Sequence, residues 1–193
     1  MKKLVKPLTL ILSTLAICLS TASAGQEENL LKNADFKPDA NGAISGWQVP
    51  KYPFADDPAV AEQLKWGVED VKGTPCLAIS TKEPVKANVW WEQIVKGNGG
   101  NTYDVSVKIK GELLEGSKYG GVQVGVHFLD ANGQFLSYQA IPDAKELSDT
   151  WQVIKGKITA PDDAVKMGFR MGVNFNGGVK VFFKEPTLTE TTN

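Results

Sequence analysis

Residues 102–111 read TYDVSVKIKG. Tyr103, Val105, Val107 and Ile109 take alternate positions, with Asp104, Ser106, Lys108 and Lys110 between them. Successive side chains of a strand point to opposite faces, so this period of two predicts a strand with one apolar and one polar side. The pattern recurs. In GVQVGVHFLD (121–130), Val122, Val124, Val126 and Phe128 alternate with Gln123, Gly125 and His127. In KMGFRMGVNF (166–175), Met167, Phe169, Met171 and Val173 alternate with Gly168, Arg170, Gly172 and Asn174. VKVFFKEPTL (179–188) puts Val179, Val181 and Phe183 on one side. Turn-forming runs separate these segments: 97–101 (GNGGN), 130–133 (DANG), 160–163 (APDD) and 176–178 (NGG). Many short alternating strands predict an all-β antiparallel sandwich in a single domain. Only DDPAVAEQLKWG (56–67) suits a helix, of one or two turns, and the polar tail after Leu188 is expected to fray.

The chain opens MKKLVKPLTLILSTLAICLSTASAG, with Lys2, Lys3 and Lys6 before an apolar run from Leu8 to Leu19 and small residues Ala22 and Ala24 flanking Ser23. This reads as a secretory signal peptide over 1–24, leaving 25–193 as the folded domain, secreted or periplasmic. The apolar run is shorter than the ~20 residues of a spanning helix. Ile17 precedes Cys18, where a lipoprotein signal wants a small residue. No membrane contact is therefore expected after cleavage. Without the three leader lysines, the 21 Lys and Arg fall to 18 against 22 Asp and Glu, a formal charge near −4. An acidic chain with no basic run is a poor nucleic-acid binder. Cys76 is left without a partner and is expected to be a buried small hydrophobe. The domain is expected to be a monomer standing on its core.

Several segments together resemble one family. NLLKNADF (29–36) followed by Gly46-Trp47, then GTPCLAIS (73–80), resemble the opening of bacterial carbohydrate-binding modules appended to xylanases and cellulases. Trp91, Gln93, Val95, Gly100, Tyr103 and Lys110 resemble the next block, and HFLDANGQ (127–134), DTWQVIKGKITAP (149–161) and VFFKEPTL (181–188) follow in family order. The resemblance implies a jelly roll of the galactose-binding-like type that binds polysaccharide across its concave sheet. It implies core roles for Trp47 and Trp151. In NVWWEQIVKG (88–97) it turns Trp91, Gln93 and Val95 inward, leaving Trp90 and Glu92 on the opposite face. It also implies a structural calcium between the first and last strands. Lys37 and the Lys184-Glu185 pair stand where the family carries acids, so no metal or other cofactor is expected, and Lys37 or Lys184 is expected to pair with Glu185.

A pyranose has an apolar C–H face and a rim of hydroxyls. Binding it takes an aromatic ring and polar side chains on a rigid face. The candidate set is Trp90 as a platform, with Gln123, His127, Arg170 and Asn174 as polar partners. Ser106 and Lys108 are placed on the same face, and Gly125 and Gly172 are read as floor space for a ligand. Trp66 and Tyr52, in the ring-rich stretch between Trp47 and Gly73, are further candidates, and Tyr119 a reserve. An ordinary solvated strand face is the alternative.

His127 is the only histidine, which argues against a histidine-based nucleophile or a multi-histidine metal site. No catalytic residue is assigned. The reading is non-catalytic binding of a polysaccharide or oligosaccharide. The alternatives are a secreted hydrolase using paired carboxylates such as Glu92 and Asp104, a lyase, or an adhesion or structural protein on the same fold.

Overall fold

The structure of the chain, a computed structural model, describes residues 28–49, 58–83, 89–115, 122–141, 147–173 and 178–191. The expected signal peptide, residues 1–24, lies outside them. A short helix, α1 (Pro58–Gln63), precedes nine strands: β1 (Leu64–Asp70), β2 (Pro75–Thr81), β3 (Val89–Lys96), β4 (Thr102–Leu113), β5 (Val122–Leu129), β6 (Phe135–Ile141), β7 (Gln152–Thr159), β8 (Lys166–Val173) and β9 (Val179–Glu190). One sheet runs β1-β2-β9-β4-β7 and the other β3-β8-β5-β6. All pairings are antiparallel, and the two sheets form a jelly-roll sandwich. Among the described residues no helix is long and apolar enough to cross a membrane.

The period of two is realised directly. Tyr103, Val105, Val107 and Ile109 of β4 are buried while the residues between them are half exposed. They meet Val124, Val126 and Phe128 of β5 and Met167, Phe169 and Met171 of β8 in one core, with Leu77, Ile79, Val181 and Phe183 completing it. Each such side chain removed from water contributes about 1.5–3 kcal/mol before the cost of ordering the chain.

Residues 28–49 form no long strand, so side chains tie them down. Asn29 Oδ1 accepts from the Leu188 backbone N–H (3.0 Å), and its amide donates to Pro186 O (3.0 Å). Gln93 points inward from β3 and holds Lys32 at both backbone groups, accepting from N and donating to O at 2.9 Å. The Trp47 indole donates to Asn33 O (3.1 Å) and packs edge-on against Phe36 and Phe169. Phe36 sits at φ +54°, a conformation costly for a bulky residue, and its complete burial behind Trp47 compensates.

Two expectations are corrected, on Trp151 and on the tail. The expected helix of one or two turns forms over Pro58–Gln63 and stops there. Leu64–Gly67 belong to β1, because Leu64 and Val68 face inward on β1 opposite Thr81 and Leu77. Trp151 is not core. It lies on the outward side at the start of edge strand β7, half-buried under the Lys184 ammonium 4.3 Å from its ring centroid. The tail does not fray at Leu188, since β9 runs to Glu190 and the Thr191 N–H donates to Thr102 O (2.8 Å). Cys76 is fully buried, and burial pushes its thiol up to about 11.

The two tryptophans should therefore differ under mutation. Trp47→Ala is expected to cost about 3–5 kcal/mol in urea denaturation. Trp151→Ala, which loses a half-exposed cation–π contact, is expected to cost only about 0.5–1 kcal/mol. Equal losses would return Trp151 to the core.

Candidate functional site

The outer face of the four-stranded sheet is set by register. Trp90, Glu92, Ile94 and Lys96 of β3 lie opposite Gly172, Arg170, Gly168 and Lys166 of β8. These in turn lie opposite Gln123, Gly125, His127 and Leu129 of β5. The adjacent tryptophans thus divide between faces. Trp91 is buried opposite Met171, its indole donating to Ala78 O across the sandwich (3.2 Å), and Trp90 is half-buried on the outer face.

Trp90, Gln123, Tyr138, Arg170 and Gly172, with Val89 and Val173, line a hollow of about 190 Å³. The Arg170 guanidinium lies over the Trp90 ring, 4.6 Å from its centroid. Its Nε donates to Glu92 Oε1 (2.6 Å). Glu92 is only 5% exposed. Its other oxygen accepts from Gln48 Nε2 (3.4 Å), and the Gln48 and Glu92 backbones exchange hydrogen bonds of 2.9 and 2.8 Å. A buried carboxylate left unpaired would be strongly destabilising, so Arg170 is held to it firmly and thereby kept over Trp90.

His127 is 4% exposed, with Nδ1 3.4 Å from Glu92 Oε1 but not hydrogen-bonded to it. Burial, followed by the charge of Arg170, holds its pKa below the ordinary value. Glu92 and a hydrogen bond to the Gly168 backbone oppose this less strongly, so the ring is neutral at pH 7. The Trp90 Nε1–H is also buried without a partner.

The glycines correct the sequence reading. Gly125 is roofed by Tyr138, whose hydroxyl would lie 2.3 Å from an added Cβ, and at Gly172 the backbone of β3 leaves no room for one. Gly168 receives the His127 ring, whose Cε1 would lie 1.8 Å from a Cβ. The spaces over Gly125 and Gly168 hold the protein's own rings rather than a ligand, while Gly172 stays in the lining of the hollow.

Gln123, Arg170 and Trp90 are thus brought together around the hollow, with His127 beneath the same face. Asn174, Tyr52 and Tyr119 lie outside the described residues. Trp66 is a strand residue of β1 in the other sheet, paired with Ile79, not part of a loop at the rim. Ser106 and Lys108 are also placed on the wrong sheet, since β4 belongs to the five-stranded one. Asp104 goes with them, paired to Lys157 (2.8 Å) and Thr191 (2.9 Å), so it does not meet Glu92. Two contributors went unrecognised. Tyr138 lies in FLSYQAI, which lacks clean alternation, but its strand follows directly on the DANG turn. Gln48 adjoins the core Trp47, and only its isolated bridge to Glu92 brings it to the face.

The place of the implied calcium is held by ion pairs. Lys37 pairs with Asp35 (2.6 Å), not with Glu185, while Lys108 and Lys184 both pair with Glu185. Among the described residues no three His, Cys, Asp or Glu gather at one point. Ammonium groups among the oxygens do not fit a divalent cation.

No protein-family model matches the chain, and no curated protein matches it in sequence. Solved structures do match in fold. The enzymatically active domain of bacteriophage CBA120 tailspike protein 4 superposes with a TM-score of 0.58 at 13% identity, over 84% of this chain and 21% of that one. The CBM22-1 xylan-binding domain from Paenibacillus barcinonensis Xyn10C gives 0.58 at 15% identity, over 89% and 99%. An arabinose-bound MgGH51 α-L-arabinofuranosidase gives 0.60 at 17%, over 89% of this chain and 28% of the enzyme. The chain therefore spans about a fifth of the tailspike and just over a quarter of the arabinofuranosidase. At these identities the likeness is one of fold, a β-sandwich found in a xylan-binding domain and within two larger enzymes.

Two outcomes follow from the buried histidine and the lysine pairs. The unfolded chain takes a proton at His127 near the ordinary 6.5 and the folded chain takes it lower, so the unfolded state binds more protons in that interval. Stability should fall as pH drops from 7 through this window, and His127→Gln should flatten that part of the slope in denaturant titrations. Thermal melts in millimolar calcium and in chelator should agree within about a degree or two, because a tight ligand in excess would add several kcal/mol.

Proposed function

We propose that the chain is an exported, non-catalytic module that binds a polysaccharide or oligosaccharide on the outer face of the four-stranded sheet. The observation that carries this reading is the hollow beside Trp90, where an aromatic ring meets polar side chains on a rigid sheet. Arg170 covers one face of the ring, so a sugar uses the remaining surface of Trp90 and the planar guanidinium stacked on it. Gln123 offers both donors and an acceptor, Arg170 offers donors, and the Tyr138 hydroxyl offers both, which matches the hydroxyl rim of a pyranose. The fold shared with carbohydrate-binding modules supports the reading, and the leader over residues 1–24 supports export.

A screen of the mature chain against soluble and insoluble polysaccharides, with reducing-sugar release measured in parallel, tests it. Affinity without release is expected. Release would make the chain an enzyme, and neither affinity nor release would favour the adhesion role. Within a bound glycan, Trp90→Ala should weaken affinity by about 1–3 kcal/mol and leave the melting temperature within a few degrees. Trp91→Ala should instead destabilise the fold by several kcal/mol.

A further inference from the structure

The four strands β3, β5, β6 and β8 contain one acidic residue, Glu92, and it is buried against Arg170. They also contain Lys96 and Lys166. These two are direct cross-strand partners on the same outer face as Trp90 and Arg170. Both are exposed, and neither makes an ion pair among the described residues. Like charges directly opposite one another in a sheet are destabilising, so this pair detracts from the fold.

The same row continues through Leu129 to Phe135, whose ring is 63% exposed, and Ile94 stands exposed in the row beside it. An uncovered ring therefore lies in the same row as the two lysines, two strands (about 10 Å) from Lys166 and three (about 14 Å) from Lys96, with Leu129 between. Lys166 is four residues from Arg170 along β8, about 13 Å, and Lys96 is six from Trp90 along β3, about 20 Å. Charges that far apart are largely screened from one another at physiological salt. Glu92 offsets Arg170 within the hollow, so of the charges on these four strands the lysine pair is the one a ligand crossing the face meets, with Asp130, Asp162 and Asp163 in the flanking turns.

We infer that the bound glycan is acidic, with a carboxylate or sulfate group held by Lys96 and Lys166 and its sugar ring against Phe135. This rests on the glycan-binding reading above and names the class of glycan. Trp90 with Arg170 forms one end of the site, and Phe135 with the lysines forms the other.

The test compares glycans matched in backbone and different in charge: glucuronoxylan with unsubstituted xylan, polygalacturonate with its methyl ester, and carrageenan with chemically desulfated carrageenan. In at least one pair the acidic member should bind about tenfold or more tighter at about 20 mM salt, with the advantage shrinking towards 0.5 M. The first two pairs report a carboxylate site and the third a sulfate site. The double variant K96Q/K166Q should bring the acidic member down to the level of its neutral partner, with a melting temperature no lower than that of the parent chain. Equal binding within every pair that binds would overturn the inference while leaving glycan binding in place. So would a salt-sensitive preference that survives in K96Q/K166Q. Binding to none of the six, alongside binding to a neutral polysaccharide in the wider screen, would overturn the inference and leave the glycan-binding reading, whereas binding to no polysaccharide at all would remove both.

Discussion

Opposite Met171 in the core stands Trp91, and opposite Gly172 on the outer face stands Trp90. That register between β3 and β8 orders everything built on the four-stranded sheet. Because the side-chain period is two, a slip of one residue would carry Trp91 out, drive Glu92 into the apolar interior and strip Gln93 from the backbone of Lys32. Each consequence alone is costly. The register is therefore held by a large indole inward, a buried amide tying the first segment down, and a carboxylate whose only counter-charge lies on the outer side. The same alignment places the hollow, since Arg170 reaches Trp90 only while Glu92 sits opposite it.

Glycine has a matching part in this arrangement. A sheet face carrying Trp, Tyr, His and Arg on neighbouring strands would be overcrowded if every position bore a Cβ. Gly168 and Gly125 each accept a ring from the adjoining strand, and Gly172 lets β3 come close. Packing of this kind fixes the rotamers of the rings, and fixed side chains lose little freedom when a ligand arrives.

The strands with uninterrupted alternation were legible from the sequence, β4, β5, β8 and β9 above all, because one buried face imposes the pattern on the residues themselves. The split of the tryptophan pair followed from family-like spacing. What alternation cannot convey is which sheet a strand joins. Ser106 and Lys108 have the right parity, yet the hydrogen bonds of β4 go to β7 and β9, so they face away from Trp90. Trp66 sits in a stretch whose helical start masks a strand, and only pairing with β2 reveals it. Tyr138 was hidden for a related reason. The β5–β6 pairing carries a register shift between Phe128 and Leu129, and such an irregularity breaks the period that would have announced the strand. Trp151 was assigned to the core by resemblance alone, and an edge strand with a lysine above it shows why resemblance in spacing does not carry burial with it.

The cluster of Glu92, Arg170, Gln48 and His127 bears on whether this face exists for stability or for use. Burying a carboxylate and bringing a guanidinium against it costs desolvation that their attraction about balances. Apolar residues of similar size are often as stabilising or more so. A face serving only as the outside of a sandwich has no need of such a pair, and even less of a neutral histidine whose Nδ1 is left unmatched. What the pair does supply is direction. Glu92 fixes the guanidinium plane against the indole and takes up its charge, so the hollow is left with oriented donors and little net field. Lys96 and Lys166 have no such counterpart, and their charge is left to whatever lies across them. On the proposed reading, a ligand arriving from solvent meets one half-buried cation already neutralised by Glu92 and two exposed lysines that make no ion pair among the described residues.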